Sequence, residues 1–254
     1  IDRVEMLGFC DGQRSVDWIL KAGGCVMNLL AKGSEHHCRT HLQMTPEEHI
    51  ERIVETVNYA RQKEVRVSVY LEDWSNGVRD SFAYVTSIMD ALQKLKIERV
   101  HLADTLGVLA PDDVRHFVSV MAVTWPDAQF EFHGHNDYGL ATANAIAAIQ
   151  SGACGLHVSV NGLGERAGNA SLEEVVMALK TRSDYFGLST RVVAKEILAT
   201  SRMVSRLMGI NVPPNKAIVG ANAFAHEAGI HQDGVLKDAQ TYEIMTPESV
   251  GLKK

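Results

Sequence analysis

His133 and His135 stand two residues apart at the end of FEFHGH. Phe130, Phe132 and the residues between them alternate apolar and polar, which predicts a strand. Side chains alternate across a strand, so both imidazoles point the same way at its end. Neutral imidazole is a common ligand for a divalent metal. A pair of histidines hydrogen-bonded at a strand end would have the same spacing, and spacing alone leaves both readings open. The polar run Asn136-Asp137-Tyr138-Gly139 turns the chain into the helical stretch LATANAIAAIQSG. A second strand, GLHVSV, then runs into NGLGERAGN and another helix. The order is strand, polar end, helix, twice over. In α/β barrels, functional groups sit where strands give way to loops.

The chain has 254 residues, enough for one α/β domain. Hydrophobic residues make up 46% and charged residues 22%, which describes a water-soluble globular protein. A net charge of −6 gives no basic footprint for nucleic acid. No apolar run is long enough to span a membrane. Cys10, Cys25, Cys38 and Cys154 are scattered, without CxxC spacing, and are expected to be free buried thiols of a cytoplasmic protein.

Six strands are expected, each followed by a helix: Val4–Phe9, 26–30, 65–72, 99–105, FEFHGH and GLHVSV. Thr45-Pro46-Glu47-Glu48 is a strong helix start, with a cap, proline at the first position and two acids in the first turn. Ile50, Ile53, Val54, Val57 and Ala60 follow at helical spacing. DWSNG reads as an exit loop, and NVPPNKAIVGANAFAHEAGIHQDG as an irregular segment after a change of period. A boundary is placed near Ser183, giving 1–182 as the strand–helix portion and 183–254 as a helical extension. The turn NGLGERAG, read as leading into a helix, could hold an anion on backbone N–H groups or be a tight turn only. An open doubly wound sheet would also accommodate six strands.

FHGHNDYGLATANAIAAIQSGA followed by VNGLGERAGNASLEEV resembles the signature of the 2-isopropylmalate, homocitrate and citramalate synthases. That family consists of metal-dependent TIM barrels that condense acetyl-CoA with a 2-oxo acid. The resemblance implies a TIM (β/α)8 barrel of which these six strands are the third to the eighth. The arginine and aspartate of the family's first strand then have no counterpart here, and the chain alone is expected to be inactive. It implies His133 and His135 as metal ligands, with Asn169 as a third, for Mg, Mn or Zn. Glu72 belongs by resemblance to the acid–base apparatus, and Thr105 to the substrate contacts. AGIHQDG is similar to the family's post-barrel motif, which assigns His231 to enolisation with Asp233 and Tyr242 as companions.

The tail looks most like 2-isopropylmalate synthase, which takes 2-oxoisovalerate in leucine biosynthesis. The strand ends LGF, NLL and VYLED are similar to citramalate synthase, which takes pyruvate, and by that likeness Leu7, Leu30 and Tyr70 wall the pocket. A metal-dependent aldolase or lyase on the same barrel and a non-catalytic fragment are the other readings. The expected assembly is a homodimer.

Overall fold

The computed structural model describes residues 4–97, 99–238 and 241–252. They form two compact units, Ile1–His157 and Val158–Lys254.

The first unit is a parallel sheet of six strands in sequence order: β1 (Met6–Phe9), β2 (Val26–Lys32), β3 (Arg66–Glu72), β4 (Arg99–Asp104), β5 (Gln129–Gly134) and β6 (Gly155–His157). Each crossover carries helix: α1 (Arg14–Lys21), α2 (Glu35–Thr40), α3 (Pro46–Gln62), α4 (Trp74–Asp80), α5 (Phe82–Lys94), α6 (Pro111–Thr124) and α7 (Ala141–Gln150). This is the strand and helix order of a TIM barrel, in a sheet that stops at β1 and β6 without closing.

Alternation along the strands separates two faces. Leu29, Val69, Leu71, Val100, Leu102, Phe130 and Phe132 point to the helices and join Val16, Ile53, Val57, Val85, Ile88, Val114 and Val118 in one core. The opposite face is polar, with Asn28, Lys32, Ser68, Tyr70, Glu72, His101, Glu131 and His133. The sheet is curved enough for Glu5, just before β1, to pair with Arg99 at the start of β4.

The expected start of α3 is present in full. Thr45 caps it, Pro46 opens it, and Glu48 reaches back to the Thr45 N–H. WSNG opens a helix, α4, after Asp73, rather than forming an exit loop. Trp74 and Gly77 are buried there, so packing overrides the weak local propensity of Ser75-Asn76-Gly77. The four cysteines are free, but only Cys38 is buried as expected: Cys10 and Cys25 are half-buried and Cys154 is exposed.

The second unit holds α8 (Leu172–Thr181), α9 (Ser183–Phe186), α10 (Ile197–Met208) and α11 (Gly229–Lys237). Its core is small: Val176, Met177, Ile197, Leu198, Val219 and Val250. AGIHQDG, expected to be irregular, lies largely within α11. No helix among the described residues is long and apolar enough to cross a membrane.

Candidate metal and substrate site

The polar face of the sheet gathers its functional groups at the C-terminal ends of the strands. His133 is the penultimate residue of β5 and His135 follows just after it. Their Nε2 atoms are 3.3 Å apart. His135 is also fixed through its backbone, whose N–H donates to the Asp104 carbonyl at 3.2 Å. Burial, followed by the nearby His157, His135 and His101, pushes the His133 pKa down to about 3. Its imidazole is therefore neutral at physiological pH, with a lone pair to offer.

Glu72 ends β3, and its carboxylate accepts from Lys32 Nζ at the matching end of β2. Lys32 is itself clamped from behind. Its N–H donates to His49 Nε2 at 3.3 Å, and its carbonyl accepts from the Tyr84 hydroxyl at 3.3 Å. His49 Nδ1 and Tyr84 Oη are 2.7 Å apart. Since Nε2 accepts from an amide, the proton of His49 sits on Nδ1 and is donated to Tyr84. Burial, then the Lys32 charge, hold the His49 pKa down to about 4. Helices α3 and α5 thus fix the β2 end that presents Lys32 to Glu72.

The hydroxyl oxygen of Thr105 accepts from the Asp73 N–H at 2.8 Å, tying the ends of β3 and β4 together. Asp73 is fully buried, in the left-handed conformation (φ 63°), and accepts from Ser34 and Asn76. Tyr70 lies two residues before Glu72, its ring centroid 5.5 Å from that of His133. Leu30 pairs in register with Tyr70. Leu7 faces the same side from β1 and is 57% exposed.

His101 and His157, which no motif in the sequence singles out, meet beside Tyr70 on this face. His101 Nδ1 is 2.9 Å from His157 Nε2, which is 2.9 Å from Glu131 Oε2. The signal was parity: Glu131 shares its face of β5 with His133.

In the second unit, Asn169 donates through Nδ2 to the Leu163 carbonyl at 3.3 Å, while its buried Oδ1 has no hydrogen-bond partner among the described residues. The glycines of NGLGERAGN make a closed turn. A Cβ on Gly168, which has φ +88°, would lie 2.0 Å from the Gly162 oxygen. The following helix starts only at Leu172, so the turn is not a helix N-terminus. The His231 and Tyr242 rings meet tilted at 34°, with 4.2 Å between centroids, whereas Asp233 pairs with Lys237 at 2.6 Å.

The HMGL-like family model matches residues 11–204, and a homocitrate synthase post-HMGL domain-like model matches 218–254. The chain belongs to the HMGL-like family. A 2-isopropylmalate synthase from Halalkalibacterium halodurans is 45% identical over 89% of this chain and 44% of its own length. A Methanopyrus kandleri protein provisionally named (R)-citramalate synthase is 42% identical over 93% of the chain and 45% of its own length. The chain spans about half the length of the curated relatives it matches. Among solved structures, an HMG-CoA lyase from Acinetobacter baumannii superposes with a TM-score of 0.71 at 24% identity, covering 87% of this chain and 74% of the lyase. That likeness is one of fold.

Proposed function

We propose that the chain is the core of an acyltransferase that condenses acetyl-CoA with a small 2-oxo acid, of the 2-isopropylmalate synthase type. The observation that carries this reading is the His133–His135 pair at the C-terminal edge of the sheet. Two ligands bonded to one ion at near-tetrahedral angles stand about 3.4 Å apart, and the two Nε2 atoms are 3.3 Å apart. His133 is neutral, as a ligand must be. The two histidines therefore fit a divalent ion, Mg, Mn or Zn, and the family resemblance alone suggests Asn169 as a further donor. A bound ion would supply Lewis-acid polarisation of the 2-oxo acid's carbonyl.

The remaining chemistry falls to the chain's own groups. A base takes a proton from the acetyl-CoA methyl, and the role suits His231, whose ring meets that of Tyr242. The enolate carbon then bonds to the ketone carbon as the ketone's C=O π bond breaks onto oxygen, and the resulting alkoxide takes up the proton that the base removed. Water finally adds to the thioester carbonyl, the C–S bond breaks, and free CoA thiol and a carboxylate result. Glu72 takes the part of orienting a water on the sheet side, a role its pairing with Lys32 supports. Thr105 contributes a substrate contact. Asp233 in this reading positions the α11 segment through Lys237.

Citramalate synthase is a second reading because, by the family resemblance, Leu7, Leu30 and Tyr70, which share one face of the sheet, would wall the 2-oxo acid's pocket. Pyruvate presents one methyl there, whereas 2-oxoisovalerate needs room for an isopropyl group. A fit difference of this size is worth about 1–3 kcal/mol. The homodimer belongs to the same proposal, supported by exposed apolar residues of the second unit such as Leu207 and Leu236. The deciding experiment measures thiol release from acetyl-CoA by a full-length enzyme built on this chain. Preference for 2-oxoisovalerate is expected. A pyruvate preference that Tyr70→Ser relaxes would transfer the assignment to citramalate synthase, and no thiol release with any 2-oxo acid would refute the acyltransferase.

A further inference from the structure

We propose that His101, Glu131 and His157 form a second cation site, for a borderline divalent ion of the zinc class. Glu131 and His101 lie one level deeper on the sheet than His133, whereas His157 stands beside His133 in register. In register, Glu131 pairs with His101 and His133 with Ala103, so two residues of β5, roughly 6–7 Å, separate the levels. This site does not depend on the reaction assigned above.

Three ligand atoms converge. His101 Nδ1, Glu131 Oε2 and His157 Nε2 are separated by 2.9, 2.9 and 3.6 Å. Ligand atoms about 2.0–2.1 Å from a tetrahedral ion stand about 3.4 Å apart, and these three distances bracket that value. Among the described residues, this is the one group of three such side chains close enough to share an ion. Two imidazoles and a carboxylate suit zinc, cobalt or nickel better than magnesium, and they leave a fourth position open.

The protons argue the same way. His157 Nε2 can carry one proton but faces two partners at 2.9 Å. If that proton is shared between Glu131 and His101, His101 carries its own proton on Nε2. That atom is buried and has no hydrogen-bond partner. If instead His101 donates to His157, the His157 lone pair faces the Glu131 carboxylate. A cation at the centre engages all three lone pairs at once.

The ring of His101 is 1% exposed, and its polar contacts lie within this cluster. Buried histidines with a purely structural role ordinarily satisfy both nitrogens. Arg99 Nη1 holds the other Glu131 oxygen at 3.4 Å and aims the carboxylate, as outer groups do around metal ligands. The His157 side chain is 27% exposed, which leaves a way in.

The test is cobalt uptake by the 254-residue chain, followed by equilibrium dialysis, metal analysis and visible absorption. The unaltered chain should retain cobalt with the intense absorption of a tetrahedral site. His133→Ala/His135→Ala should keep that absorption and one equivalent. Glu131→Gln should lose one equivalent, as should His101→Ala/His157→Ala. Should the double-alanine variant fail to fold, Glu131→Gln decides, because the amide keeps the size of the side chain. Equal uptake by Glu131→Gln and the unaltered chain would overturn the site. So would no uptake at all, or complete loss in His133→Ala/His135→Ala, and the cluster would then be hydrogen-bonded only. The proposed condensation fails by a different readout, thiol release, so the two can fall separately.

Discussion

At the scale of single residues, the clamp on Lys32 makes the most direct prediction. His49 has a folded pKa near 4 against 6.5 for the unperturbed side chain, burial being the main cause. Between those values the unfolded chain binds the extra proton and the folded chain does not, so stability falls as pH drops. The shift corresponds to about 2 kcal/mol at pH 5 for this one group. His101 and His133 shift in the same direction and steepen the decline. Urea midpoints at pH 7 and pH 5 should therefore differ clearly, and His49→Gln should narrow the gap. An unchanged gap would mean that His49 titrates freely in the folded protein. Lys32→Met tests the other end of the clamp. It removes the cation from Glu72, which is 23% exposed on its side chain. Partial exposure reduces the penalty for a lone carboxylate to roughly 1–2 kcal/mol. In the full-length enzyme, kcat is expected to fall while KM for the 2-oxo acid changes little. A KM effect alone would place Lys32 in substrate binding instead.

At the scale of elements, α4 packs its backbone directly onto the loop after β2. A Cβ on Gly77 would lie 1.9 Å from the Gly33 oxygen. Gly77→Ala must push the helix off that loop, at a cost of about 2–3 kcal/mol. Chemical denaturation should show this loss, whereas Arg79→Ala on the exposed side of the same helix should stay within about 0.5 kcal/mol of the parent. This contact also explains why α4 was misread. Ser75, Asn76 and Gly77 are poor helix formers, and nothing local announces that Gly77 is required by a neighbour 44 positions upstream in sequence. The strands were far more legible. Their helix-facing positions repeat at period two, and each predicted start falls within two residues of the observed one. The pair His133–His135 was readable because it lies on one strand. The cluster of His101, Glu131 and His157 was not, because it joins side chains from three strands, and strand pairing is not written locally in the sequence.

At the scale of the whole molecule, β1 is an edge strand, with no strand beyond it among the described residues. On β1, Leu7 and Phe9 are 57% and 51% exposed. Edges of this kind pair with other chains. The 254-residue chain is therefore expected to sediment as concentration-dependent oligomers, and a monodisperse monomer across a wide concentration range would count against it. The spatial order of the strands has a consequence for synthesis. Every strand lies next to the one made just before it, from β1 through β6. A chain leaving the ribosome can add each βα unit to an edge that is already folded, without holding a strand exposed for a distant partner. The tie from Glu5 to Arg99 then forms once β4 has emerged, 94 residues later, and locks the curvature before His133 and His135 are made. The groups that gather at the strand ends would arrive at a surface whose shape their predecessors have already set.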